Sequence, residues 1–337
     1  MNRFKLFILF ILVPAILSAE NFICDEINVY NHTDSIILAG TLTIPDDNHP
    51  RAAIVMATGS GAQNRDEEIF SHKPFKVIAE YLARNGYAVL RMDDRGTAQS
   101  EGDFASATTD DFVNDIAAGL ETLAGRFPNL PKGVIGHSEG GTIAIKTAAG
   151  NPLCSFIVTL AAPAWQGDSI IMSQSRAMAV GLTGKWENEK QQREILDIVK
   201  SDISDMQARM SLSFLLPKIF GESANLPQAK DVIAKQIDVL TSDWYRSMVR
   251  YNPASDIQSV KCPWLALNGN KDTQVLPGNL ETIKSINPQA DTKQLDNHNH
   301  LLQVCVTGMP DEYPASGQSP SPETLATMIK WLNDNIK

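Results

Sequence analysis

Five residues, Gly136-His137-Ser138-Glu139-Gly140, have the spacing of a turn built to expose a serine hydroxyl. The apolar run Gly133-Val134-Ile135 precedes them, and a helix-like stretch, 141–149, follows and stops at Gly150. A strand turning sharply into a helix through G-x-S-x-G is a nucleophile elbow, with glycines where a Cβ would strike the adjoining strand or helix. The pentapeptide alone is common by chance; the strand before it and the helix after it make this match informative. A serine hydroxyl attacks a carbonyl only when a base takes its proton, and the base needs an acid to hold its tautomer. The chemistry to look for is therefore acyl transfer through Ser138.

In this kind of elbow the partners follow in the order serine, acid, histidine. Downstream of Ser138 the chain has only two histidines, His298 and His300. His300 opens the apolar run Leu301-Leu302-Gln303-Val304, which reads as a helix start, and is the expected base; His298 is then expected to be an exposed loop residue. Asp272 follows the strand-like Pro263-Trp264-Leu265-Ala266-Leu267, at a strand's carboxyl end, where open parallel sheets place their ligands. Asp296 competes for the acid role but lies too near both histidines in sequence. The oxyanion hole should use the backbone N–H groups of Glu139 and Ser60, the latter in the loop Thr58-Gly59-Ser60-Gly61. In that geometry the Glu139 carboxylate is expected to point away from the oxyanion. No G-K-S/T follows the glycine loop, which argues against nucleotide binding. Four widely separated cysteines with no C-x-x-C argue against a zinc site. The expected cofactors and metals are none. Cys154 and Cys262 each precede a strand-like run and are expected to be buried thiols, with a bond between them as the lesser alternative.

The elements that must position these residues alternate between strand and helix. Residues 35–44 read as two strands bent at Gly40, and 52–57 as a buried strand; a helix over 75–83, a strand over 87–91 and a helix over 108–124 come next. After the elbow, 156–161 is a strand. Repeated β-α-β units imply an α/β fold: a mostly parallel sheet with helices on both faces. The rhythm breaks over 164–254, where helices are expected at 189–203, 205–216 and 229–240. Met172, Met178, Met206, Met210, Met248, Phe214, Phe220, Trp186 and Trp244 are scattered through this segment. It reads as a helical cap inserted over the elbow, most of these side chains packing together and a few lining an acyl or alcohol pocket. The last helix is expected over 323–335.

Residues 1–19 have a basic start at Arg3 and Lys5, an apolar run from Leu6 to Ile16, and small residues at Ser18 and Ala19, the layout of a secretory signal peptide. An uncleaved anchor is the alternative, since Leu17 is large for a cleavage site. The expected protein is exported, periplasmic or secreted, with no stable membrane association after cleavage. Loss of Arg3 and Lys5 moves the formal net charge from −10 to −12, which argues against nucleic acid as a partner. The expected division is a leader over 1–19, a first core segment over 20–163, the cap over 164–254 and a second core segment over 255–337.

Taken in order, Thr58-Gly59-Ser60-Gly61-Ala62-Gln63-Asn64-Arg65-Asp66-Glu67, Asp93-Asp94-Arg95-Gly96, Gly136-His137-Ser138-Glu139-Gly140-Gly141, Leu267-Asn268-Gly269 with Asp272, and Asn299-His300-Leu301-Leu302-Gln303 resemble the bacterial α/β-hydrolase esterases. These are related to serine aminopeptidase-type and prolyl-oligopeptidase-type hydrolases, and the resemblance, over about 35–337, is greatest to the exported carboxylesterase-like branch. It implies the α/β-hydrolase fold with Ser138 as nucleophile, Asp272 as acid, His300 as base and a helical cap. The chain departs from the usual pattern at Ala62, Asn64 and Thr97-Ala98-Gln99, changes that bear on substrate fit more than on catalysis. Arg65 and Asp66 are open to either a loop salt bridge or a substrate contact, and Asp93-Asp94-Arg95-Gly96 reads as an ion-paired corner.

The leading functional expectation is hydrolysis of small carboxylic esters, with short to medium acyl groups. The alternative is an aminopeptidase or amidase on the same triad, with Glu139 or Glu189 binding the substrate amine. A non-catalytic binding protein on a hydrolase fold is the third reading.

Overall fold

The computed structural model describes residues 21–336, so the expected leader over 1–19 lies outside the described residues. The first half alternates β1 (Phe22–Asn31), β2 (Ile36–Pro45), β3 (Ala53–Ala57), α1 (Pro74–Arg84), β4 (Ala88–Met92), α2 (Thr109–Arg126), β5 (Lys132–His137), α3 (Glu139–Gly150) and β6 (Phe156–Leu160). Five helices then intervene: α4 (Gly167–Thr183), α5 (Glu189–Lys200), α6 (Asp205–Phe220), α7 (Pro227–Leu240) and α8 (Asp243–Arg250). The chain returns through α9 (Ala254–Ser259), β7 (Trp264–Gly269), α10 (Gly278–Ile286), β8 (Asp291–Leu295) and α11 (Pro322–Asn335).

The strands form one eight-stranded sheet in the order β1-β2-β4-β3-β5-β6-β7-β8. The β1–β2 and β2–β4 pairs are antiparallel, and every pair from β4 to β8 is parallel. This is the mostly parallel sheet expected from the β-α-β rhythm. Parallel strands buried on both faces read as continuous apolar runs, and in β3 alternate side chains serve opposite cores. Ala53, Val55 and Ala57 pack with Phe112, Ile116 and Leu120 of α2 and Ile143 of α3. Ile54 and Met56 pack with Phe75, Ile78 and Leu82 of α1 and Met328 and Leu332 of α11.

One expectation fails within the sheet. Residues 36–45 form a single strand, not two bent at Gly40. Gly40 pairs with Met92, and a Cβ there would come within 2.9 Å of the Arg91 carbonyl oxygen. The glycine admits the neighbouring strand; it does not turn the chain.

Between β6 and β7, helices α5 to α8 share their own apolar cluster, with Leu196, Val199, Leu212, Leu216, Ile237 and Val249 buried at its centre. Gly167 seats α4 on α8, where a Cβ would collide with the Met248 carbonyl. Cys154 is buried, Cys262 is half-buried and both thiols are free. No helix among the described residues is long and apolar enough to cross a membrane.

Candidate active site

Ser138 stands between β5 and α3 at φ 53° and ψ −122°, in the left-handed region that a residue with a Cβ enters only under constraint. Its N–H donates to the Leu160 carbonyl at 2.8 Å and its carbonyl accepts from Gly141 N–H at 2.9 Å. A Cβ at Gly136 would strike the Gly140 carbonyl, and one at Gly140 would strike the Ala57 carbonyl. The two glycines let the helix start directly against the strands, which leaves the serine side chain projecting.

The Ser138 hydroxyl oxygen lies 3.0 Å from Nε2 of His300, and His300 Nδ1 lies 2.8 Å from Oδ2 of Asp272. A carboxylate only accepts, so Nδ1 carries the proton and Nε2 is left to accept from the serine O–H. Asp272 is buried, and its Oδ1 accepts from the N–H groups of Gln274 at 2.8 Å and Val275 at 2.9 Å. Two main-chain donors and the imidazole thus fix both carboxylate oxygens in the turn after β7.

The loop carrying His300 is not the helix start expected from Leu301-Leu302-Gln303-Val304. Asn299 and Gln303 close it instead: Asn299 N–H donates to the Gln303 carbonyl and Gln303 N–H to Asn299 Oδ1, each at 3.0 Å. Leu302, at φ 54°, reverses the chain. Nor is His298 the exposed loop residue expected of the histidine that is not the base. It is fully buried, with Nδ1–H donating to the Asp296 carbonyl at 2.8 Å and Nε2 accepting from Ser321 Oγ at 2.7 Å. Ser321 caps α11 by accepting from Thr324 N–H, so His298 ties the loop to the last helix. Asp296 accepts from the Asn270 side chain, away from the imidazole of His300.

Among the described residues, neither Ser60 N–H nor Glu139 N–H has a hydrogen-bond partner, whereas Gly59 N–H is taken by Glu67 Oε1 at 2.7 Å. Ser60, Ser138 and Glu139 border the same cavity, of about 320 Å³, together with His300. Two free N–H groups beside a serine are what a tetrahedral oxyanion requires. The cavity's further wall is largely apolar and comes from the inserted helices: Ile170 and Ile171 of α4 with Trp244, Tyr245 and Met248 of α8. The Glu139 carboxylate is buried in that wall, and both its oxygens accept from Trp244 Nε1, at 3.2 Å. Burial pushes it up to about 7, against the lowering effect of hydrogen bonds from Trp244 and Ser60.

Of the methionines and aromatics expected to divide between packing and pocket, Met248 and Trp244 line the cavity, and Met172 and Phe220 pack against the inserted helices' own cluster. Met206, Met210 and Phe214 do neither; they lie on the solvent face of α6.

The residues that distinguish this chain around the site hold loops. Arg65 pairs with Asp93 at 2.7 Å and with Glu26, and Asp66 pairs with Arg91. Arg95 is clamped by Asp115 at 2.7 Å and Asp34 at 2.8 Å. Asn64 Oδ1 accepts from Asp66 N–H at 3.0 Å, as an aspartate in its place would. Ala98 adopts φ 49°, a left-handed conformation that glycine enters more readily than alanine. Two further residues lie beside the triad, His137 at a variable position of the G-x-S-x-G motif and Glu67 in the loop after β3, and neither position carries a fixed chemistry in the sequence pattern. Among the described residues no group of three His, Cys, Asp or Glu side chains could hold a metal ion.

Known proteins show the same architecture. Residues 49–211 match the family model described as serine aminopeptidase, S33. The esterase EstD of Thermotoga maritima is 24% identical over 269 residues, 79% of this chain and 58% of its own length. Human monoglyceride lipase is 33% identical over 105 residues, 31% of this chain and 32% of the lipase. This chain therefore spans just over half of the first of these relatives and about a third of the second. The solved structure of the Pyrococcus furiosus esterase Pf2001 superposes with a TM-score of 0.58 at 17% identity, over 94% of this chain and 95% of that one. With its sheet order, its serine elbow between β5 and α3, and the superposition on the Pyrococcus esterase, the chain has the α/β-hydrolase fold.

Proposed function

We propose that the protein is a serine carboxylesterase in which Ser138 is the nucleophile, His300 the general base and acid, and Asp272 the group that orients the imidazole. The observation that carries this reading is the unbroken chain from Ser138 Oγ through His300 to Asp272, at 3.0 and 2.8 Å, on the floor of an apolar cavity. The serine oxygen attacks the ester carbonyl as its proton passes to His300 Nε2, and the resulting oxyanion takes the N–H groups of Ser60 and Glu139. His300 then gives the proton to the departing alcohol. Water, deprotonated by the same nitrogen, releases the acid and restores the serine.

A cavity of about 320 Å³ stands at the small end of ligand sites, about 300–1,000 Å³. That size supports short to medium acyl groups. The esterase and monoglyceride lipase relatives favour esters over amides. An aminopeptidase would need a free carboxylate for the substrate amine, and Glu139 is already engaged by Trp244. The leader over 1–19 supports export, for which the mature chain would begin at Glu20 by N-terminal sequencing.

The test is a p-nitrophenyl ester series from acetyl to dodecanoyl, run beside aminoacyl-4-nitroanilides, with wild type and S138A. Serine-dependent ester turnover that falls with chain length is expected. Ester turnover by S138A at the wild-type rate would remove the mechanism, and faster anilide turnover would make the protein a peptidase.

A further inference from the structure

Behind the triad lies a second histidine–carboxylate pair that the reaction leaves without a role. His137, the last residue of β5, is buried; its Nδ1 lies 2.8 Å from Glu67 Oε1 and its Nε2 3.0 Å from the main-chain carbonyl oxygen of His300. A carbonyl only accepts, so Nε2 must carry a proton. The same Glu67 Oε1 accepts from Gly59 N–H, in the loop that bears the free Ser60 N–H. One carboxylate oxygen therefore reaches the oxyanion loop directly and the base loop through a single imidazole.

Three local costs surround this contact. Glu67 is held at φ 51°, and its Oε2 is buried with no hydrogen-bond partner among the described residues. Any side chain at Gly59 would also crowd the contact, since a Cβ there would stand 2.9 Å from Glu67 Oε1 and 3.4 Å from His137 Nδ1. Backbone strain and an unpaired buried oxygen persist only where surrounding contacts over-determine them, and such outliers cluster at functional sites.

We propose that Glu67 and His137 are positioning residues, a buried strut that sets the distance between the oxyanion donors and the catalytic imidazole. The strut rests on the serine-esterase reading above and exchanges no atom with the substrate. Displacing a reacting group by about 1 Å can cost about a hundredfold in rate, so a contact that fixes two loops at once acts on kcat more than on KM.

The groups facing the pair come from each element around it. Glu67 stands in the loop after β3, Asp272 in the turn after β7, and the His300 ring 4.9 Å away in the loop after β8. Asp94, after β4, faces Glu67, and Glu139 of α3 faces Asp94. Burial by itself would lower His137, but the Glu67 charge and hydrogen bond, the His300 carbonyl and Asp272 outweigh it and raise it above the ordinary histidine value. Both ring protons are thus held on the acid side of that raised value, and the strut slackens as pH rises through it.

The experiment compares wild type, H137A, H137Q and E67Q on a p-nitrophenyl butyrate assay, with active sites counted by fluorophosphonate labelling and folding followed by thermal unfolding. H137A is expected to lose about 30- to 100-fold in kcat per labelled site, with KM within about threefold. The glutamine amide of H137Q can still donate to the His300 carbonyl and should recover most of that loss. E67Q, which removes the charge that raises His137, should move the alkaline limb of kcat to lower pH. If H137A does not fold, H137Q and E67Q carry the test. Unchanged kcat per labelled site and an unmoved alkaline limb would overturn the strut, as would a loss confined to KM. Full activity in S138A would instead remove the esterase reading on which the strut depends.

Discussion

Ser138, at φ 53°, holds its hydroxyl 3.0 Å from His300 Nε2, and its use as a nucleophile depends on which of the two ring nitrogens is bare. Asp272 makes that choice. In D272N the amide can donate to Nδ1 and turn the imidazole to the wrong tautomer, so kcat should fall by about 10³–10⁴ with KM little changed; steady-state kinetics on a short p-nitrophenyl ester checks this. Glu139 gives a second prediction at this scale. Its folded-state value is pushed up to about 7 by burial, so between the ordinary glutamate range and pH 7 the folded protein binds the extra proton. Stability should therefore fall as pH rises through that window, then level off above it. E139Q should flatten this segment of the urea-unfolding profile and be the more stable of the two above pH 7. That Ser138, Asp272 and His300 meet was legible because motif context, chain order and a shortage of histidines narrow the choice. The burial of His298 was not, since its partner Ser321 lies 23 residues away and no local pattern announces it.

Helices and strands were legible where their apolar period was one-sided. Helices α1, α2 and α11 stand where they were expected, each with one buried apolar face, and the strands from β3 to β7 are buried along their whole length. β8, Asp291-Thr292-Lys293-Gln294-Leu295, pairs on one side only and leaves most of its side chains in solvent, so it carries no such run. In α6 the difficulty is the reverse: Met206, Met210 and Phe214 line one face, and Ala208, Leu212 and Leu216 another. A helix apolar all round does not say which face is covered. Met206 is 79% exposed and Leu212 fully buried, which gives a contrast within one helix. L212A should cost about 2–5 kcal/mol, and M206K should stay within about 0.5 kcal/mol of wild type, both read from chemical denaturation. Where α4 meets α8, G167A would drive a methyl group into the Met248 carbonyl. Overpacking of that kind costs about 1–3 kcal/mol. Because both helices wall the cavity, KM for a hexanoyl ester should rise more than KM for an acetyl ester.

At the scale of the molecule, the sheet puts the serine at its centre and gathers the rest of the machinery from loops after β3, β5, β7 and β8. The inserted helices occupy the one long interval between adjacent parallel strands, β6 and β7, so they can vary without disturbing the register of the sheet. That arrangement separates two jobs. On the esterase reading, the core sets the reaction geometry, while α4 and α8 set what fits beside it.

The strand order also has a consequence for the life of the chain as it is made. Ser138 and His300 are 162 positions apart, and His300 is held in place through contacts reaching α11, the final helix. Synthesis runs from the amino end, and non-local pairings form late because their loop closure must come first. A nascent chain thus carries a serine with no base beside it until the segment from β8 through α11 has emerged and docked. On the esterase reading, hydrolytic capacity arrives only with that segment, and a product that stops before it is expected to be inert.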